Sequence, residues 1–232
     1  MMAFGQPMRM RDVFSMAQGA SLVRRNCLVL GPAGCGKLSL VRSIFSAASD
    51  RSQLFLFDLE IEPATQLALV EQLVARSLSD GCRQSEIWIL RKLDSLTDAV
   101  LGRLLIALQR QLNHVAINEN ACRRILYATA RTYPSGAPVN RIVDSLFPLQ
   151  IHLPGLPSTP GELRPFVYDL LGELSIKHGK SMNRIDSQAL DLLATRPWTA
   201  NLLELRSVLE RAFLMEDSDS LTPLALTRAM EG

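Results

Sequence analysis

Cys27-Leu28-Val29-Leu30-Gly31-Pro32-Ala33-Gly34-Cys35-Gly36-Lys37 is the stretch that decides the fold. Four consecutive apolar residues before Gly31 suit a strand buried on both faces. After the glycines, Leu38, Leu40, Val41, Ile44 and Phe45 recur at helical spacing. Strand, glycine-rich turn and helix follow in the order that the Gly-x4-Gly-Lys pattern requires. The glycines allow a tight turn whose amide hydrogens point inward at phosphate oxygens, and the helix N-terminus adds a partial positive charge. Lys37 reaches the terminal phosphates as a point charge. The expected nucleotide-binding residues are Gly31, Pro32, Ala33, Gly34, Cys35, Gly36, Lys37 and Leu38. Leu38 breaks the pattern, because a Ser or Thr hydroxyl there normally touches magnesium. Ser39 comes one position late and points elsewhere on the helix.

Working outward, Met8 to Gly19 reads as a short helix, and Leu54–Phe57, Ile87–Leu90, Ile125–Ala128 and Leu149–Leu153 read as further strands. Pro63 opens a helix carrying Leu67, Val70, Leu73 and Val74, and Leu96 to Leu112 forms a strongly apolar one. This alternation predicts an α/β core over residues 1–153, a parallel sheet flanked by helices. The run from Leu153 to Gly161 is rich in breakers. Beyond it only helices are legible: Glu162–Ile176, Asp186–Ala194 with Asp186 or Ser187 as cap, Trp198–Met215 and Pro223–Met230. These predict a small all-helical domain over residues 154–232.

The composition narrows the function classes. With 47% hydrophobic and 21% charged residues, the chain packs cores and is not a disordered tail. A net charge of +2 does not by itself imply a nucleic-acid or membrane surface. No apolar run approaches about 18 residues, so no membrane span is expected. Met1-Met2-Ala3-Phe4-Gly5 lacks the make-up of a signal peptide. Cys27, Cys35, Cys82 and Cys122 show no paired spacing, and His114, His152 and His178 show no ligand spacing. A metal or disulfide framework is not expected, and the thiols suit a cytoplasmic protein.

Four segments carry a family resemblance. They are Gly5–Phe14, the loop around Lys37, Ile151-His152-Leu153-Pro154-Gly155-Leu156, and the passage Pro197-Trp198-Thr199-Ala200-Asn201-Leu202-Leu203-Glu204-Leu205-Arg206 with the helix it opens. Together they resemble the central AAA+ domain of sigma-54-dependent transcription activators, the bacterial enhancer-binding proteins. The resemblance runs nearly end to end. It implies a P-loop AAA+ core and a helical lid.

The same resemblance shows what is missing. It implies an Asp-Glu pair at the end of the third strand, where this chain has Arg91-Lys92. Asp94 lies close, but moving the alignment to reach it breaks the strand register. Ala128-Thr129-Ala130 replaces a passage ending Ala-Thr-Asn, and Leu203 stands where a lid arginine is implied. An arginine reaching a neighbouring subunit falls at Ser145, with Arg131 and Arg141 as nearby alternatives. A positioned general base is worth about 10²–10⁴ in rate and an arginine finger about 10³–10⁵. Losing both and the metal ligand implies turnover near background. The family's sigma-contacting loop, Gly-Ala-Phe-Thr-Gly-Ala, is absent from between Phe57 and Ile87, and no helix-turn-helix follows the lid.

The reading implied is a pseudo-ATPase: a regulatory ATP- or ADP-binding module acting in transcription regulation through protein association. Its partners are AAA+ relatives or copies of itself, without specific DNA binding. Arg91 and Lys92 are counted with the phosphate site, as cations that replace the charge of magnesium and make it dispensable; the competing reading leaves them solvated at a strand end. Two alternatives stand beside it, an active ATPase that remodels a sigma factor–RNA polymerase complex and a scaffold that binds no nucleotide.

Overall fold

The computed structural model describes residues 25–47, 52–77, 85–117, 124–132 and 137–231. The expected helix at Met8–Gly19, the segment Gly5–Phe14, and Gly81, Cys82 and Cys122 lie outside these residues. Two compact units emerge. One runs up to Gly31 and resumes over Lys37–Pro154; the other joins Pro32–Gly36 to Gly155–Gly232.

The first unit is built on five parallel strands, β1 (Cys27–Leu30), β2 (Gln53–Asp58), β3 (Glu86–Arg91), β4 (Arg124–Ala130) and β5 (Leu149–His152), in the order β2-β3-β4-β1-β5. The flanking helices are α1 (Lys37–Ala47), α2 (Pro63–Ser77), α3 (Asp98–Ile117) and α4 (Ala137–Leu146). Every residue of β1 is buried, as a four-residue apolar run between two neighbours demands. The core joins Leu28, Trp88, Leu90 and Leu126 of the sheet to Leu104 and Leu108 of α3.

The sequence reading did not include α4. Its apolar residues Val139, Ile142, Val143 and Leu146 have helical spacing, but Gly136 and Pro138 look like punctuation. Pro138 is accommodated because it falls in the first turn, where its missing N–H costs little. The apolar helix expected from Leu96 starts instead at Asp98, because Leu93–Ser95 winds as a 3₁₀ turn and Leu96 is extended.

At the N-terminal edge of the sheet, Glu86 of β3 stands opposite Arg124 of β4. Both are buried: the Arg124 side chain is 1% exposed and that of Glu86 is 5% exposed. Arg124 Nε donates to Glu86 Oε2 at 2.8 Å, and its Nη1 donates to Ser77 O at 2.8 Å. Trp88 Nε1 and Arg76 Nη2 complete the carboxylate's shell at 2.8 and 3.0 Å. Burial alone raises the Glu86 carboxyl, but the hydrogen bonds from Arg124, Arg76 and Trp88 outweigh it and hold it below the usual range.

The second unit holds α5 (Pro160–His178), α6 (Ser187–Thr195), α7 (Asn201–Met215) and α8 (Pro223–Glu231), with a two-strand parallel bridge of β6 (Arg184–Ile185) and β7 (Ser220–Leu221). Leu163, Val167, Leu171 and Leu174 form one stripe of α5 and pack into a core with Leu205, Leu209 and Phe213 of α7. Asp186 caps α6 by accepting from Gln188 N at 2.8 Å, and Gly179 ends α5 in a left-handed conformation. Trp198 precedes α7 instead of opening it. Its ring packs on this core and its Nε1 donates to Leu193 O at 2.8 Å. Among the described residues no helix is long and apolar enough to cross a membrane.

Removing the Glu86 carboxylate strands a buried guanidinium. Glu86→Ala is expected to cost about 3–5 kcal/mol in urea unfolding. Because the folded-state pKa of Glu86 lies below its unfolded value, its contribution is present above the unfolded pKa. It is lost as pH falls through the folded one, so the parent's stability should drop in acid more steeply than the variant's.

Candidate nucleotide site

The glycine-rich turn leaves β1 at Gly31, whose N–H donates to Ala130 O at 3.2 Å, and enters α1 at Lys37. Gly34 and Gly36 have φ of 70° and 94°, the left-handed region that side chains disfavour. Lys37 Nζ donates to Gly31 O at 2.6 Å, so the lysine folds back across the turn that it closes. Cys35 is buried, Leu38 is half-buried and Ser39 is exposed. Gly31 to Leu38 thus form one continuous strand–turn–helix corner.

Gly34 is constrained a second way. A Cβ there would stand 1.8 Å from Ala200 O and 3.2 Å from Leu203 Cβ. Leu203 N donates to Gly34 O at 3.3 Å, and Asn201 Nδ2 donates to Ala33 O at 2.8 Å. The start of α7 is held in turn by Glu204, whose carboxylate accepts from Ala200 N at 3.1 Å and from Arg196 at 3.1 Å. The Ala200 amide first, and then Arg196 and Thr199 against the cost of burial, keep the Glu204 carboxyl below its usual range. Leu203, at the position of the implied lid arginine, is 63% exposed.

Arg91 ends β3 and Lys92 follows it, two strands from β1 in the sheet order and so roughly 10 Å across it. The β2–β3 register sets Asp58 opposite Arg91, and Arg91 Nη1 meets Asp58 Oδ2 at 2.8 Å. Lys92 pairs with Glu60. Arg131 lies 3.7 Å from Glu60 and 3.9 Å from Asp94. Three cations face three carboxylates, and the cluster is formally neutral. Partly exposed pairs of this kind contribute about 0.2–1 kcal/mol each, so their importance is where they put charge. Lys92 takes φ 57° and its N–H donates to Thr129 Oγ1 at 3.1 Å, which fixes the exit of the strand.

The sequence reading placed Arg91 and Lys92 at this edge but did not foresee their partners. Nor did it single out Asn201 and Glu204 for a role of their own. Ser145 is exposed on α4 and accepts from Gln109 Nε2 at 3.4 Å, and Arg141 on the same helix is exposed. Among the described residues no group of three or more His, Cys, Asp or Glu is placed to hold a metal ion.

Comparison with known proteins bears on these features. Residues 161–232 match the AAA+ ATPase lid domain family. The chain is 22% identical to the nitrogen fixation protein AnfA of Azotobacter vinelandii over 93% of its length and 44% of that protein. It is 25% identical to the formate hydrogenlyase transcriptional activator of Salmonella typhimurium over 85% of its length and 26% of that protein. NtrX of Brucella abortus in complex with ADP superposes with a TM-score of 0.67 at 14% identity, covering 97% of this chain and 54% of that one. The chain has the AAA+ fold and is similar in sequence to these proteins. A further likeness in fold, the RuvB Holliday junction branch migration motor of Thermotoga maritima, has a TM-score of 0.59 at 15% identity over 96% of this chain and 67% of that one. This AAA+ domain spans less than half the length of the curated relatives it matches.

Gly34→Ala adds left-handed strain of about 1–2 kcal/mol to a clash with backbone, and should lower the melting temperature by about 5 °C or more. Gly102→Ala, on α3 with nothing within 4 Å of the added carbon, should leave it unchanged or raise it. Thermal unfolding followed by circular dichroism separates the two.

Proposed function

We propose that this AAA+ domain binds ATP or ADP at Gly31–Leu38 without hydrolysing it, and regulates transcription through association with other proteins. The observation that carries the reading is the charge at the end of β3. Arg91 and Lys92 occupy the two positions where the resemblance implies the metal-holding and catalytic acids, and both are engaged by carboxylates from the end of β2 and the residues after it. A cation cannot hold magnesium or take a proton from water. Ala130, fully buried at the end of β4, and Leu203 stand where the resemblance implies a water-orienting Asn and a lid arginine.

The phosphate loop needs none of these groups to bind. Its donors are main-chain amides and Lys37, a local arrangement. Arg91 and Lys92 contribute to phosphate binding in this reading by exchanging a carboxylate for a phosphate oxygen, which makes magnesium dispensable. The complexes of NtrX from Brucella abortus with ADP and with ATP support a nucleotide at this loop. Differential affinity of the two assembly states for nucleotide is enough to bias association, with nothing consumed. AAA+ relatives or further copies of this chain are the partners proposed, in a cytoplasmic setting.

Calorimetry should give the same affinity for ADP in EDTA as in magnesium, and Lys37→Ala should weaken it by tenfold or more. Phosphate release from ATP should stay at background with or without partner proteins. A strict magnesium requirement would overturn the cation-substitution part. Turnover abolished by Lys37→Ala would establish the ATPase alternative, and binding of neither nucleotide would leave a scaffold.

A further inference from the structure

The amides of a phosphate loop act only if they point one way, and the start of α7 supplies a reason why they do. α7 begins without a side-chain cap: its N-cap is Ala200, which has no acceptor to offer the first-turn N–H groups. The third helical residue, Leu203, instead donates its N–H to Gly34 O. The phosphate loop is therefore the cap of this helix, and the helix in turn holds the loop by a carbonyl.

Asn201 makes the second attachment. It is 7% exposed, and both ends of its amide are used: Nδ2 donates to Ala33 O at 2.8 Å and Oδ1 accepts from Leu156 N at 2.9 Å. Its φ of 51° is left-handed, which asparagine tolerates better than most residues. Two successive peptide units, Ala33–Gly34 and Gly34–Cys35, are thus gripped by their carbonyl oxygens. In a trans peptide the N–H points opposite to the C=O. Gripping these two oxygens from α7 turns the amide hydrogens of Gly34 and Cys35 to the opposite side. A carbonyl that already accepts a bond also makes the N–H of the same unit a better donor.

We propose that Asn201 is a positioning residue, holding the phosphate loop in its phosphate-accepting shape before nucleotide arrives; its effect on affinity rests on the nucleotide-binding reading above. Asn201→Asp isolates the claim. It keeps the shape, the tolerance of left-handed φ and the acceptor for Leu156 N, and it sets a carboxylate oxygen against Ala33 O where there was a donor. Asn201→Gly, which relieves the backbone and deletes both bonds, is the second variant should the first fail to fold.

The experiment is amide hydrogen exchange at Leu203, whose N–H is bonded to Gly34 O, in the ligand-free full chain, paired with ADP calorimetry and thermal unfolding. The expected result for either folded variant is exchange at Leu203 at least tenfold faster and ADP affinity about tenfold weaker or more. Unchanged exchange at Leu203 in both variants overturns the proposal, whatever happens to stability. A lower melting temperature with unaltered ADP affinity also overturns it, because that is the mark of a packing residue. If the parent binds no ADP while exchange at Leu203 still accelerates in the variants, the nucleotide reading fails and the clasp on the loop stands.

Discussion

Two carbonyl oxygens of the phosphate loop, those of Ala33 and Gly34, are held from the start of α7 by the Asn201 amide and the Leu203 N–H. Much of the local sequence answers to that constraint. Gly34 is glycine because the Ala200 carbonyl leaves no room for a side chain. Ala200 needs no capping side chain, because the loop supplies the acceptor. Glu204 gathers Ala200, Thr199 and Arg196 around one carboxylate and so fixes the chain that approaches the loop. The residues Pro32–Gly36 lie between a strand and a helix of the sheet in sequence, yet they cluster with Gly155–Gly232. These bonds are the physical reason.

Register explains the charges at both edges of the sheet. In parallel strands a residue is placed opposite one partner, and a charge there is stabilised or opposed by what that partner carries. At the N-terminal edge the pair is Glu86 and Arg124, buried and saturated with hydrogen bonds. At the C-terminal edge it is Asp58 and Arg91, half-exposed and extended by Lys92, Glu60, Arg131 and Asp94. The first contributes to stability, because breaking it leaves an ion out of water. The second contributes little energy and chiefly determines which charges stand at the end of β3. The cation at the end of β3 is matched by the acid at the end of β2.

The parallel sheet was legible because each strand holds a short apolar run, and because the loop between Leu30 and Lys37 has a spacing that few other structures need. The lid was legible from the helices after Gly161 and from the Pro197–Arg206 passage. What could not be read depends on distance along the chain. Asp58 and Arg91 are far apart in sequence, and only the β2–β3 register brings them together. The burial of Arg124 required knowing that Ser77 and Glu86 come to meet it. The left-handed turn at Asn201 leaves no periodic trace, since a helix reading extends smoothly from Trp198 to Met215 and only backbone geometry moves its start to Asn201. α4 was hidden by Pro138, which reads as a breaker in isolation and as a first-turn residue once the helix is seen.

Binding and turnover place unequal demands on such a framework. A phosphate cradle is one contiguous loop of main-chain donors, and few single side chains are indispensable to it. Hydrolysis needs groups brought from several strand ends and from a neighbouring chain to within hydrogen-bond reach of one phosphorus atom. Each of those groups is one substitution away from loss, and none is needed to fold the sheet. A domain kept for what it associates with can therefore lose the catalytic acids and retain the loop. The loop also serves this fold without any ligand, as the cap of α7, so its glycines would persist even if nucleotide were abandoned. The orientation of the Gly34 and Cys35 amides is the more informative property, because capping α7 uses only the carbonyl side of those peptides and a phosphate would use the other.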